Sequence, residues 1–575
     1  MRKTIDVVRD DPDGGLISIT DRLNSRTDPL GHAEMSLYDG NGNLTQHTDR
    51  NGNVTKYQYD GLNRRTFAGY GYNGASYQDT INYNWGGGNR LRQAVDSIAG
   101  TIARTYDGLD RLTDEQTPQG EVSYAYDNAN RRTTMTVAGQ PAVSYSWDNA
   151  NRLTGITQGS AAVSFVYDNA NRRTQLTLPN GIVLAYSYDN DSRPSAMTWR
   201  LSGNPVGDLE YSYDADGHVV EKTGSLAQTN LPQPVTANTF NAANEMTAFN
   251  GIALAYDANG NLLNDGTNTY TWDARNHLSG IAGANSAAFV YDPFGRRASK
   301  TINGTATQFL YDGLNPVQEL QAGTPTADML TGLGIDEYFQ RADASGTNSY
   351  LTDALGSTLA LTDPTGTIQT SYNYEPFGNA TASGTSSGNP FQFTGRDNDG
   401  TGLYYYRGRY YSPTFERFVA QDPIGFGGGD ANLYAYVRNN PATWIDPLGW
   451  APPLGVPYPP PNIPGGPWTW SPNPQSERGG VFIGPKQPKG PRRECTYSPS
   501  PGPGKNPYWK AYGGGEPPQR YDENGNPITP DEAHPPSDNE GPSSGEKMII
   551  IGGGVIIIGG VIILTGGAGL PILAF

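Results

Sequence analysis

The chain has 575 residues, of which only 17% are charged, with 73 Gly, 44 Pro and 11% aromatics; this favours a turn-rich β protein over a disordered one. A formal net charge of −17 runs against phosphate binding, so nucleic acid is not expected as a partner. One cysteine, Cys495, excludes an internal disulfide framework and a cysteine zinc site, and the five histidines, from His32 to His534, show no metal-ligand spacing. No nucleotide fingerprint, P-loop or Ser-His-Asp signature is present, so no cofactor is expected.

The N-terminus, Met1 to Asp6, has no apolar run behind its basic start. A conventional secretory signal is therefore not expected there, and export would use another route.

An internal repeat then dominates. Tyr57-Gln58-Tyr59-Asp60 returns as Tyr124-Ala125-Tyr126-Asp127, Tyr145-Ser146-Trp147-Asp148, Phe165-Val166-Tyr167-Asp168 and Tyr186-Ser187-Tyr188-Asp189. Later copies end at Asp214, Asp273, Asp292 and Asp312. Asp127, Asp148, Asp168 and Asp189 lie 20 or 21 residues apart. Aromatic-x-aromatic has period two, which places both rings on one face of a strand. Asp-Asn-Ala-Asn then breaks the strand, because Asp and Asn bond their own backbone and accept turn geometries. Arg131-Arg132-Thr133 opens the return strand. Each unit is a β-hairpin that cannot bury its face alone, and stacked units make a continuous sheet with ladders of aromatic and Arg side chains. These residues are expected to be structural, with a carbohydrate-binding aromatic surface as the functional alternative.

This Tyr-Asp pattern, over roughly residues 25–450, resembles the YD repeats of the Rhs family, of bacterial Tc-toxin C components and of teneurins. The resemblance implies a mainly β fold: a spiralling antiparallel sheet forming a partial hollow shell around a C-terminal effector. The chain looks short for a whole shell, which implies a further N-terminal part in the same or another chain. The implied divisions are a YD shell over 1–340 and a repeat-associated core over 341–450. A Pro/Gly-rich variable tip follows over 451–547, then one apolar helix over 548–575.

The core region carries the most specific likeness. Phe393-Thr-Gly-Arg396-Asp397, the Tyr-rich run from Gly402 to Tyr411, and Phe415-Glu-Arg417-Phe418 lead into Gln421-Asp422-Pro423-Ile424-Gly425. It closes on Asp446-Pro447-Leu448-Gly449-Trp450. In the family, two Asp-Pro-x-Gly motifs here form an aspartic self-protease. Carried over, Asp422 and Asp446 are the catalytic pair and Trp450–Ala451 is the cut. Two close carboxylates do not both ionise readily, so one can activate water while the other, protonated, polarises the scissile carbonyl. The same tetrapeptide occurs at Asp28, Asp292 and Asp363, where it reads as a turn with Pro presetting φ and Gly taking positive φ. Only the core context separates the last two copies from these.

Residues 451–547 are rich in Pro and Gly, as in Pro459-Pro-Pro461 and Pro499-Ser-Pro-Gly-Pro-Gly504, and read as a linker or extended tip. In the family this position holds the variable effector. A Cys495/His534 pair has no sequence-local support. Asp522 to Asn526 and Asp39 to Asn43 look like calcium loops, but carry Ala533 and Arg50 where a bidentate Glu belongs, and are better read as turns.

From Met548 to Phe575 no residue is charged, long enough for one transmembrane helix. The pairs Gly552/Gly553, Gly559/Gly560 and Gly566/Gly567 repeat every seven residues, as in closely packed membrane helices. In water the same stretch is prone to β aggregation.

The function expected from these readings is a toxin-delivery protein whose shell encloses a membrane-active effector released by self-cleavage. Its expected partners are a target-cell membrane, a secretion apparatus and a cognate immunity protein, with carbohydrate on the shell. The alternative is a surface-anchored, partner-binding YD-repeat body.

Overall fold

The hairpin unit is built by one aspartate. In the computed structural model, which describes residues 24–450 in full and beyond them only the backbones of short strands, Asp127 shows the pattern. Its Oδ1 accepts the Ala129 and Arg131 amides at 2.8 and 3.0 Å, and its Oδ2 accepts Arg131 Nε at 2.7 Å. The Asn130 amide donates to the Asp127 carbonyl and the Asp127 amide to that of Arg131. Asn130 sits at φ +64°, the left-handed residue that follows a type I turn in a three-residue hairpin loop. Asn63, Asp110, Asn151, Asn171 and Ser192 take the same conformation, and Gly does so at Gly217, Gly260 and Gly295. The preference for Asn or Gly at this position is thus a backbone requirement.

Units are joined by two further contacts. Arg131 Nη1 reaches the Asp148 carbonyl and Asn151 Oδ1 of the next turn at 3.0 and 3.1 Å, and its guanidinium lies over the Trp147 ring at 5.8 Å. Arg111, Arg152, Arg172 and Arg193 stack likewise on Tyr126, Tyr167, Tyr188 and Tyr213 at 4.6–5.1 Å. The second aromatic of each unit also donates backward to a carbonyl of the preceding return strand. Tyr126 bonds Leu112, Trp147 bonds Arg132, Tyr167 bonds Leu153 and Tyr188 bonds Arg173, all at 2.6–2.8 Å. This explains why the position takes Tyr or Trp: it needs a flat ring for the Arg and a polar tip for the carbonyl. Tyr167→Phe keeps the ring and loses the bond, so we expect a loss of about 0.5–1.5 kcal/mol in chemical denaturation with no change of fold.

Nineteen strands, from Ser25–Thr27 to Val219–Thr223, form one antiparallel meander in chain order, and fourteen more, from Ala255–Tyr256 to Ala380–Gly384, form a second. One face of the first sheet is buried against the second: Val122, Tyr145, Ile156, Phe165, Leu184 and Trp199 share a core with Leu310, Val317, Leu330, Phe339 and Leu351. The contacts keep chain order. Arg50 meets Asn259, Asp96 meets Arg275, Arg132 meets Asp312, Arg173 meets Glu337 and Asn180 meets Asp363, at sequence separations of 164 to 209 residues. A strip that lies along itself in chain order is a spiral, as expected of a YD shell.

The opposite face of the second sheet carries the core region. A small sheet of Asp397–Asn398, Tyr404–Tyr406, Arg409–Ser412 and Arg417–Phe418 packs there, with Leu403, Tyr405 and Tyr410 against Tyr270, Phe289 and Tyr291. Arg297, fully buried on the strand Arg297–Ile302, pairs with Asp397 and Asp399 and lies 4.3 Å from the Tyr405 ring. Lys300 Nζ reaches the same two carboxylates at 3.2 and 3.0 Å.

The apolar helix expected over 548–575 falls mostly outside the described residues. The pieces described there are antiparallel strands, Met548–Ile551, Gly554–Ile557 and Ile563–Leu564, rather than helix. Runs of β-branched Ile and Val broken by Gly have weak helix propensity, and away from lipid strand pairing satisfies the backbone as well as a helix does. Among the described residues, no helix is long and apolar enough to cross a membrane. Cys495 lies on the strand Glu494–Ser498, and His534 lies outside the described residues.

Candidate functional site

The five Asp-Pro-x-Gly copies among the described residues each begin a turn in which the Gly amide donates to the Asp carbonyl; for Asp446 that bond is long, at 3.3 Å. The second carboxylate oxygen separates them. In Asp28 and Asp292 it is taken by a side chain four residues on: His32 at 3.0 Å and Arg296 at 2.6 Å. In Asp363 it is taken by Gln369 at 2.8 Å. At Asp422 and Asp446 the residue four on is Phe426 or Trp450, neither of which carries a positive charge. Both aspartates turn instead to one guanidinium: Arg409 Nη2 lies 3.2 Å from Asp422 Oδ2 and 3.3 Å from Asp446 Oδ2. The two carboxylates read from the sequence as a pair are thus brought together, in a site where Asp422 and Asp446 are 5% and 1% exposed.

Arg409 holds the rest of the site. Its Nη1 donates to the Leu433 carbonyl at 2.9 Å, its Nε donates to the Gly449 carbonyl, and its guanidinium lies 3.6 Å from the centre of the Phe418 ring. The Asp422 amide bonds the same Leu433 carbonyl at 2.9 Å, which fixes the turn relative to the Arg. The Gly408 amide donates to the Leu448 carbonyl at 2.9 Å, and a Cβ on Gly408 would strike the Trp450 ring at 1.9 Å. The segment leading to the expected cut is therefore laid along the hairpin that carries Arg409. The sequence reading missed Arg409. The available signal was a pair of arginines, Arg407 and Arg409, in the otherwise aromatic-rich hairpin from Tyr404 to Tyr411, since a charge there must find a partner once buried.

Burial pushes the Asp446 carboxyl up to about 6; Arg409 opposes the shift and the charge of Asp422 reinforces it. Its Oδ1 is buried without a hydrogen-bond partner among the described residues. Asp446 can therefore hold a proton near neutral pH beside a second carboxylate, which is the electrostatic condition for paired acid–base work.

The other candidates resolve as structure. Asp39 Oδ1 accepts the Asn41 and Asn43 amides and its Oδ2 accepts Asn43 Nδ2, so the supposed calcium loop is an ordinary repeat turn. The first aromatics, such as Tyr145 and Phe165, are buried, and the tips of the second aromatics are spent on carbonyls.

A spiralling sheet of Tyr-Asp hairpins, capped by a small aromatic core that holds a buried carboxylate pair, is the architecture of a YD shell with its repeat-associated core. Residues 184–441 match the family described as Teneurin YD-shell, and 38–67 and 106–142 match RHS Repeat. The chain belongs to the Rhs/YD-repeat family. It is 34% identical over 254 residues to the tRNA nuclease WapA of Bacillus subtilis, covering 42% of this chain and 11% of that protein. It is 28% identical over 303 residues to the double-stranded DNA deaminase toxin A of Burkholderia cenocepacia, covering 43% of this chain and 21% of that protein. Among solved structures, a Photorhabdus luminescens Tc holotoxin pore superposes with a TM-score of 0.63 at 18% identity, covering 76% of this chain and 28% of that one. The chain thus spans a small part of the length of these relatives.

The relatives also correct one expectation. Two of them are named for acting on tRNA and on DNA. Excluding nucleic acid on net charge is therefore unsupported: the acidic surplus is carried mainly by the repeat and core residues, while the region after 450 is close to neutral.

Proposed function

We propose that this chain is a Rhs-type polymorphic toxin-delivery protein that cuts itself between Trp450 and Ala451. The observation that carries this reading is the convergence of Asp422, Asp446 and the Gly449 carbonyl on the one buried guanidinium of Arg409. The ionised Asp422 takes a proton from water, and the water oxygen adds to the Trp450 carbonyl carbon. Protonated Asp446 donates to the carbonyl oxygen as charge develops on it. Asp422 then gives its proton to the Ala451 nitrogen as the C–N bond breaks and a hydroxyl of the tetrahedral carbon returns a proton to Asp446, which leaves a free Ala451 amine and a Trp450 carboxylic acid that ionises in water, with both aspartates as they began. Arg409 balances the single negative charge that the pair carries.

The freed segment, 451–575, is the effector in this reading, and its uncharged end at 548–575 acts on the membrane of a target cell. An apolar segment of this kind is hazardous to the cell that makes it, which is the physical reason to sheathe it until delivery. The toxin relatives support export from the producing cell, and the reading adds a secretion apparatus and an immunity protein that protects the producer.

The test is direct. The purified chain held near pH 6 should resolve into two fragments, the smaller beginning at Ala451 by N-terminal mass spectrometry. Residues 451–575 expressed alone should arrest growth and depolarise membranes. A wild-type chain that stays whole removes self-processing, and a harmless 451–575 removes the membrane-active tip.

A further inference from the structure

The carboxylate site is not built by the core alone. The turn at 49–53, in the first winding, meets the turn at 257–261, at the start of the second, head to head. The Arg50 amide donates to Asn259 Oδ1 at 3.0 Å, Asn259 Nδ2 to Asp49 Oδ2 at 2.8 Å, Asn51 Nδ2 to Asp257 Oδ2 at 2.9 Å and the Ala258 amide to Asn51 Oδ1 at 3.0 Å. Arg50 continues past this junction. Its Nη2 donates to the Asn259 carbonyl and to Gln421 Oε1, both at 2.9 Å, across 371 residues of sequence in the second case. Gln421 immediately precedes Asp422.

Three further contacts bind the same place. Tyr434 Oη donates to the Gly260 carbonyl at 2.7 Å, and its neighbour Leu433 supplies the carbonyl that holds both the Asp422 amide and Arg409. The Gln421 side-chain nitrogen lies against Gly260 so closely that a Cβ there would meet it at 2.6 Å. Arg26, also of the first winding, lies 3.0 Å from where a Cβ on Gly425 would stand, at the far end of the Asp422 turn. Arg50 is itself part-buried, with a side chain 9% exposed, and is held by Asp28 at 3.3 Å. In the repeat turns beginning at Asp39, Asp60, Asp107, Asp127, Asp148, Asp168, Asp189, Asp214, Asp257 and Asp273, the residue after the Asp is Gly, Asn or Ala; after Asp49 it is Arg.

We propose that Arg50 is a positioning residue for the self-cleavage, which ties the reaction to closure of the first winding on the core. This rests on the reading of Asp422 and Asp446 given above. Gln421 receives the Arg50 bond only when the first winding and the core are both in place, and Asp422 is the next residue. A chain whose first winding is undocked leaves Asp422 without this restraint, so the effector stays attached until the wall is seated.

The test follows the appearance of the Ala451 end with time in the full chain. Arg50→Ala and Gln421→Ala should each slow it by on the order of tenfold to hundredfold, the usual cost of a small misplacement of a reacting group. The double variant should be no slower than the worse single one, because the two side chains act through one contact. Arg64→Ala removes a repeat Arg at the other end of a neighbouring turn, which bonds Asp60 and the next turn and, among the described residues, has no hydrogen bond to the core. It should lower stability and leave the rate unchanged, which separates positioning from support of the fold. Should Arg50→Ala fail to fold, Gln421→Ala carries the test. Wild-type rates in Arg50→Ala or Gln421→Ala, or equal slowing in Arg64→Ala, overturn the inference while leaving the self-cleavage reading intact. An uncut wild type overturns the self-cleavage reading itself.

Discussion

Asp446→Asn should leave the chain whole under conditions in which the wild type is cut to completion, and Asp422→Asn should do the same. Each replacement keeps side-chain size, and at Asp422 an Asn side-chain oxygen can still accept the Ile424 amide, but each removes the proton exchange on which the reaction turns. The intact band on a denaturing gel, with an unchanged unfolding midpoint, is the expected result; a wild-type amount of cleavage in either variant excludes that carboxylate. The pH dependence follows from the raised carboxyl of Asp446. The active form needs that group protonated, so the rate should fall as pH rises through about 6. The same shift acts on stability. The folded carboxyl binds its proton more tightly than the unfolded one, whose ordinary value is 3.8. Its contribution to folding is therefore full below about pH 4 and is lost as pH rises through about 6, by about 3 kcal/mol in all. Asp446→Asn should flatten that part of the stability profile, which chemical denaturation at pH 4 and pH 7 can read.

The second large effect is expected at Arg297→Ala. This Arg is wholly buried, bridges the second sheet to the core through Asp397 and Asp399, and accepts the Tyr405 ring over its face. Removing it leaves two buried carboxylates to Lys300 alone. Breaking one partner of a buried ionic cluster costs about 3–5 kcal/mol, because the remaining charges lose their compensation. The expected readout is a lowered unfolding midpoint and new protease sensitivity within 385–450, with slower self-cleavage as the core loosens. A matched variant, Arg297→Met with Asp399→Asn, removes one charge of each sign, leaves Lys300 paired with Asp397, and should recover much of the loss. If the single variant is as stable as the wild type, the cluster does not hold the core to the wall.

The hairpin unit was open to reading along the chain because each of its determinants is local. The spacing of Tyr124 and Tyr126, the turn chemistry of Asp127 and the Arg after it act within one or two units, and the structure forms them in register. The same holds for the order of the strands, since a meander pairs each strand with its neighbour. The polar tip of the second aromatic was less visible: Tyr and Trp announce a ring, while the carbonyl that needs the donor lies some 14 or 15 residues back. The C-terminal segment shows the limit of local reading. Its hydropathy suits a membrane helix, yet the described pieces pair as strands, because hydropathy reports the solvent a segment prefers and not the backbone pairing it adopts.

The site divides in the same way. The two Asp-Pro-x-Gly turns could be picked out as tetrapeptides, but nothing in four residues distinguishes Asp422 from Asp292, whose backbone turn is the same. The difference lies in what fills the position four residues later and in which distant cation replaces it. Local periodicity and turn preference are short-range and repeat with the sequence, so they established the sheet, its turns and the family to which they belong. The meeting of Arg409 with both carboxylates, and of Arg50 with Gln421 across 371 residues, came only with folding. Pairing of buried charge and hydrogen bonds depends on which surfaces are pressed together, and that is settled by how the windings lie on one another.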